Sequence, residues 1–212
     1  QSLAEACARG INDGGAHVLN IGLCGTEEVY WAVNSLKAEA GIEVTASHNP
    51  IEYNGMKIVK VGSKPLDDEQ DFQVIRKLAS VGEFAPEIHN TTQHDRAEMA
   101  RAAYVQKLLS FVSSAALKPL KIVVNSGNGA AGPTFDALEN GLKTAGVSAE
   151  FIRVHHDPDP SFPNGTPNPL LEENRSSTAG AVINEGADFG VAFDGDFDRC
   201  FFFDGAGRFV PG

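Results

Sequence analysis

Asp194, Asp196 and Asp198 alternate with other residues in the run DGDFDR, and Arg199 follows the last of them at once. Three carboxylates this close repel one another unless a cation lies among them. Hard oxygen ligands of this kind suit Mg²⁺ or Ca²⁺ far better than zinc. A calcium-binding EF-hand loop counted from Asp194 needs Gly at its sixth position and Glu at its twelfth. Arg199 and Gly205 stand there instead. Two readings stay open: a solvated acidic turn, or a Mg²⁺ seat for phosphate chemistry, in which a few carboxylates share the ion with phosphate oxygens.

The second chemical element is TASHNP at residues 45–50, which sets Ser47 between a strand end and a turn-forming Asn-Pro. The hydroxyl is expected in a loop and not in the core. As a hydrolase nucleophile it lacks the G-x-S-x-G elbow. Adjacent residues in an extended segment point opposite ways, so no Ser47–His48 acid-base pair is expected from this dipeptide. A serine carrying a phosphate as covalent donor fits better, because phosphoryl transfer asks little beyond positioning and charge neutralisation, which an acidic cation seat and an arginine supply. A plain Ser-Asn-Pro turn is the other reading.

A third motif competes. Gly127, Gly129 and Gly132 form a GxGxxG run between a strand and a helix, as in dinucleotide-binding folds. That rule also asks for an acidic residue about 20 positions on, at the carboxyl end of the next strand. Glu150 has nearly the right distance but opens its strand, so an NAD-binding Rossmann-type domain is the lesser reading. His155 and His156, near Asp157 and Asp159 in a proline-rich stretch, lack helical metal-ligand spacing and are left unassigned.

The elements that must position these residues follow from periodicity. Residues 3–11 repeat at helical spacing, 16–21 read as a strand, and 26–38 as a helix with Thr26 as its N-cap. Strands follow at 42–46 and 56–61, so the serine loop joins two strand ends. Helical patterns cover 67–81 and 96–112, separated by a polar stretch with Pro86. A second unit begins with a strand at 120–125, a helix at 134–144 and a strand at 150–154. Five prolines make 155–169 a loop. A helix at 170–185 and a strand at 187–193 lead into the acidic loop, and 200–203 with 208–210 form a hairpin around DGAG. Trp31 and the phenylalanines at 201–203 are expected in the core. The acidic loop thus lies at strand ends, where open α/β sheets place ligands. The predicted fold is α/β: two consecutive three-layer α/β/α domains with mixed sheets, spanning 1–116 and 117–212 with the boundary near Ala116.

Composition narrows the function further. A net charge of −11 over 212 residues argues against nucleic acid as a partner. No apolar stretch approaches the ~20 residues that span a membrane, and no signal segment opens the chain, so a cytoplasmic protein without a membrane partner is expected. Cys7, Cys24 and Cys200 lack zinc or disulfide spacing and read as small buried hydrophobes. The chain opens at Gln1 in a helical pattern and stops at Gly212 as a strand finishes, which reads as a piece of a longer protein.

TASHNP, YNGMK at 53–57, SGNGAAGP at 126–133, FPNGTPNPL at 162–170 and DGDFDRC at 194–200, taken in this order, resemble the α-D-phosphohexomutase family. The likeness covers nearly the whole chain and is strongest to bacterial members acting on mannose phosphates. It implies most of the first and all of the second of four domains, with the third domain's sugar-contacting loop and the fourth domain's phosphate loop outside the chain. It further implies reversible phosphoryl transfer on a hexose phosphate through a phosphoserine and a hexose 1,6-bisphosphate intermediate. The implied conversion is mannose 6-phosphate to mannose 1-phosphate, for GDP-mannose and surface polysaccharide synthesis, with a phosphoglucomutase of the same family as the alternative. By motif position Ser47 matches the phosphoserine and a Mg²⁺ ligand, Asp194, Asp196 and Asp198 match the other Mg²⁺ ligands, and Arg199 matches the active-site arginine. Lys57 and His48 match residues that assist proton transfer, in an order the sequence does not rank. These 212 residues alone are expected to show no turnover, and their oligomeric state is not readable. One departure stands out: Phe197 replaces the middle glycine of DGDGDR. A positive φ there strains a phenylalanine, whose ring is expected to point to the core.

Overall fold

A computed structural model describes residues 2–50, 52–84, 88, 91–112 and 118–212. The second half is a five-stranded mixed sheet in the order β10-β9-β8-β6-β7. Strand β6 (Leu120–Asn125) pairs in parallel with β7 (Ala149–Val154) on one side and β8 (Phe189–Phe193) on the other; β9 (Cys200–Asp204) and β10 (Phe209–Val210) add antiparallel at the β8 edge. Helix α5 (Ala131–Thr144) connects β6 to β7, and α6 (Ser176–Glu185) connects β7 back to β8. Two right-handed crossovers running in opposite directions must place their helices on opposite faces. The packing agrees: Phe135 of α5 meets Phe151, whereas Val182 of α6 lies in the core cluster with Val123, Ala192 and Phe203, which Ile152 covers. On the outer side Gly141 of α5 lets α4 (Ala97–Leu109) approach, since a β-carbon there would lie 2.8 Å from Leu109 Cδ1. This is the expected three-layer domain. Its direction reverses between β6 and β8, and the acidic loop leaves β8 beside that point.

The first half holds its strands in two sheets. Strands β1 (Val18–Asn20) and β5 (Gln93–Asp95) form a parallel pair, while β2 (Ala40–Val44), β3 (Met56–Lys60) and β4 (Lys64–Pro65) form an antiparallel ribbon. Strand β5, in the polar run QHD, was not expected, because its pairing rests on backbone groups of β1 and not on an apolar pattern. Helix α1 (Ser2–Asp13) precedes β1, and α3 (Gln73–Val81) follows a π-helical turn whose N-cap, Asp67, accepts from the Gln70 amide. Helix α2 (Thr26–Ser35) buries Val29, Ala32 and Val33, its i, i+3, i+4 stripe, and seats them on β2 at Gly41.

Several expectations need correction. Gly25, not Thr26, is the N-cap of α2: its backbone is extended, and its amide donates to Glu28 Oε2 at 3.0 Å. Helix α5 starts at Ala131 and takes Pro133 in its first turn, where a missing N–H costs nothing. The helix expected over 170–185 is a short 3₁₀ turn, Glu172–Asn174, followed by α6. Cys7 and Cys24 are half-buried and Cys200 is exposed. Phe203 is core, Phe202 is exposed by strand alternation, and Trp31 is half-buried with an edge contact to Tyr104. Pro86 and the boundary near Ala116 lie outside the described residues. No described helix is long and apolar enough to cross a membrane.

Candidate active site

The serine loop leaves β2 at Val44 and folds straight back. The Asn49 amide donates to Ala46 O at 3.0 Å, its side chain donates to the same oxygen at 2.8 Å, and the Ser47 amide donates to Thr45 Oγ1 at 2.8 Å. Ser47 takes φ +55°, in the left-handed region. The segment is therefore not extended, and the expectation that Ser47 and His48 point apart is overturned: Ser47 Oγ lies 3.1 Å from His48 Nδ1.

The acidic loop leaves β8 at Phe193, and backbone contacts clamp it. The amides of Ala130 and Thr26 donate to Gly195 O at 2.9 Å and to Asp196 O at 3.2 Å. Gly195 is pressed between the halves: a β-carbon on it would stand 2.2 Å from Ser47 O, and one on Gly129 would stand 2.4 Å from Gly195 O. Phe197 does have a positive φ, +41°. Its ring does not reach a core; half-buried, it lies over Gly25 at the start of α2, with an edge contact to Phe193 at 6.2 Å between centroids. Gly25 has no side chain to obstruct it, and this packing offsets part of the backbone strain.

All seven residues singled out in the sequence meet here. Oxygens of Asp194, Asp196 and Asp198 lie within 4.8 Å of one another, the only such trio of metal-ligating groups among the described residues. Asp194 is 0% exposed and Asp196 is 3% exposed. Ser47 Oγ donates to Asp194 Oδ2 at 3.0 Å across 147 residues of sequence. Arg199 reaches the same carboxylate through Nε at 2.8 Å and through Nη2. Its Nη2 also donates to His48 Nδ1 at 2.6 Å, so that nitrogen is the bare acceptor and the ring proton sits on Nε2. Lys57 Nζ donates to Asp196 Oδ2 at 2.7 Å and Asp198 Oδ2 at 2.8 Å.

These contacts split the carboxyl groups electrostatically. Burial pushes the Asp194 carboxyl up, against the pull of Arg199. Burial acts likewise on Asp196, but the Lys57 ammonium outweighs it and holds that carboxyl below its ordinary range. Desolvation lowers Lys57, and hydrogen bonds to Asp196 and Asp198 more than reverse it, so the amine stays protonated. Asp196 Oδ1 is buried with no hydrogen-bond partner among the described residues. A buried anionic oxygen left bare beside two further carboxylates fits a hard divalent cation.

Three residues of the site were given no part in it by the sequence: Thr45, Thr26 and Glu43. Thr45 Oγ1 donates to Asp196 Oδ2 at 3.2 Å, and Thr26 Oγ1 accepts from Lys57 at 2.8 Å while donating to Glu43 Oε2 at 2.7 Å. Glu43 carried one signal, a lone acid within a strand pattern. It is 6% exposed, and burial pushes its carboxyl up to about 7. Glu28, equally buried, ties the halves together by accepting from Thr134 Oγ1 at 2.9 Å.

The glycine-rich turn serves the chain and not a dinucleotide. β-carbons on Gly127, Gly129 and Gly132 would strike Pro167, Gly195 and the His156 carbonyl, at 2.5, 2.4 and 2.1 Å, so the open side of each glycine is filled by protein. Glu150 sits at the far end of β7, pairing with Lys121 at 3.4 Å. His156 pairs with Asp136 at 3.0 Å, away from the site.

Comparisons with known proteins converge on one family. The model described as "Phosphoglucomutase/phosphomannomutase, alpha/beta/alpha domain I" matches residues 1–84, and that of domain II matches residues 102–207. The chain is 51% identical to a phosphomannomutase of Salmonella montevideo and 49% identical to one of Escherichia coli K12, aligned over all of this chain. It spans 46% of the length of each, about half of the curated relatives it matches. A crystal structure of a phosphoglucomutase/phosphomannomutase family protein from Burkholderia thailandensis superposes with a TM-score of 0.82 at 31% identity, covering 98% of this chain and 44% of that one.

Proposed function

The chain belongs to the phosphoglucomutase/phosphomannomutase family, and on that premise we propose that it supplies the phosphoserine and cation-binding half of a hexose-phosphate mutase. The observation carrying this is the meeting of Ser47 with Asp194 and Arg199, residues of two loops that no local pattern links. We assign 1–116 and 117–212 as its two domains.

In the proposed reaction Ser47 carries a phosphate on Oγ. A hydroxyl oxygen of a hexose monophosphate attacks phosphorus as the bond from phosphorus to Ser47 Oγ breaks. The hydroxyl proton leaves to His48, or to Lys57 once that ammonium has given up a proton, and the product is a hexose 1,6-bisphosphate. After the sugar turns over, its other phosphate returns to Ser47 Oγ by the same step reversed. Asp194, Asp196, Asp198 and an oxygen of the Ser47 phosphate would hold Mg²⁺. When bound, that ion supplies neutralisation of charge on the phosphoryl group. Arg199 Nη2 lies 3.4 Å from Ser47 Oγ, where it can donate to an oxygen of a phosphate carried there. The buried loop backbone keeps donors and acceptors fixed, so little reorganisation is needed as charge moves.

The names of the relatives favour mannose phosphates, and the assay follows from them. The intact gene product should convert mannose 6-phosphate to mannose 1-phosphate with Mg²⁺, and Ser47→Ala should reduce turnover to background. Equal turnover by Ser47→Ala would contradict the reading, and preference for glucose phosphates would redirect its substrate.

A further inference from the structure

The Lys57 ammonium is held at three points, which uses all three of its donors. Two are oxygens of Asp196 and Asp198, carboxylates of the candidate cation seat. The third is Thr26 Oγ1 at 2.8 Å, in the first turn of α2 and outside that seat. Thr26 is 2% exposed, and its single hydroxyl proton is committed to Glu43 Oε2 at 2.7 Å. With that proton engaged, Thr26 Oγ1 presents only lone pairs to Lys57. Glu43 and Lys57 are direct partners in the register of β2 and β3, which fixes the acid on the strand beside the amine it serves. Thr26 is anchored a second time, by its amide on Asp196 O at 3.2 Å. One residue therefore touches the amine and the acidic loop together.

We propose that Thr26, oriented by Glu43, is the positioning residue that holds the Lys57 amine for proton transfer, keeping it in place when the oxygens of Asp196 and Asp198 are drawn to a cation. Thr26 itself handles no reacting atom. The inference rests on the mutase reading and on Lys57 as proton carrier.

The test uses the intact gene product. Thr26→Val keeps the volume and removes the acceptor, and Thr26→Ser keeps the acceptor. Thr26→Val should lower kcat by about tenfold or more, with KM within about twofold, because misplacing a catalytic group acts on the chemical step. Thr26→Ser should restore most of it. A second readout needs no activity: in a brief acetic anhydride pulse followed by peptide mass spectrometry, Thr26→Val should label Lys57 several-fold faster, with exposed Lys143 as internal standard. Wild-type kcat and unchanged Lys57 labelling in Thr26→Val would overturn the proposal. Should Thr26→Val not fold, Glu43→Gln decides, because the amide can donate to Thr26 and turn its proton toward Lys57; labelling should rise, and unchanged labelling overturns the idea. An inactive wild-type product would instead defeat the mutase reading, with the labelling result still standing for or against Thr26.

Discussion

A β-carbon placed on Gly195 would lie 2.2 Å from the carbonyl oxygen of Ser47, so the acidic loop and the serine loop touch backbone to backbone. No side chain fits between them. Gly195→Ala must therefore push the loops apart or strain both, at a cost of about 1–3 kcal/mol. Because the strain falls on the loops, far-UV circular dichroism should stay native while Mn²⁺ affinity, measured by calorimetry, falls. Unaltered affinity would show that the contact does not set the site.

Asp196 offers a buried oxygen without a partner and is the best-placed carboxylate for a cation. Asp196→Asn should weaken Mg²⁺ or Mn²⁺ binding by at least about tenfold, since even outer-shell changes cost that much. The same titration on Glu150→Gln, remote from the site, should match wild type.

Glu43 predicts a pH dependence of stability. Its carboxyl ordinarily titrates at 4.5 and is pushed up to about 7, by burial first and then by Asp196 and Asp198, against Thr26 and Lys57. The folded state thus holds a proton that the unfolded chain has released. Stability from this group is fully present below pH 4.5 and is lost as pH rises to about 7, by about 2–3 kcal/mol. Urea unfolding at pH 5 and pH 7.5 should show this loss in the wild type and not in Glu43→Gln; parallel behaviour of the two would refute it.

Phe203 is 1% exposed and packs among Val182, Ala192 and Phe209, on the far side of β9 from the exposed Phe202. Phe203→Ala should cost about 3–5 kcal/mol in urea unfolding of the second half. Phe202→Ala should cost far less.

The acidic trio, Arg199 and Ser47 were legible because their chemistry lies in short runs whose spacing survives any fold. The second sheet was legible too, since buried parallel strands such as Phe189–Phe193 are continuous apolar runs. Thr26 and Glu43 were not, because their role arises only where the start of α2 meets the β2–β3 ribbon. His48 was misjudged through one dihedral: an extended Ser47 would send the imidazole away, and φ +55° brings it in. Strand β5 was invisible because three polar residues carry no apolar alternation and hold their place by backbone pairing with β1. The Phe197 ring, expected to point to the core because it stands between ligand positions, sits instead over a glycine of the other half, a contact no local pattern encodes.

In the proposed reaction Ser47 carries the transferred phosphate. The most direct test of this is intact mass with phosphopeptide mapping of the gene product prepared without phosphatase, before and after a hexose monophosphate is added. Phosphate should map to Ser47 in at least part of the molecules and leave on addition of the sugar, with hexose 1,6-bisphosphate appearing in solution. Absence of phosphate from Ser47, together with full activity in Ser47→Ala, would contradict the account.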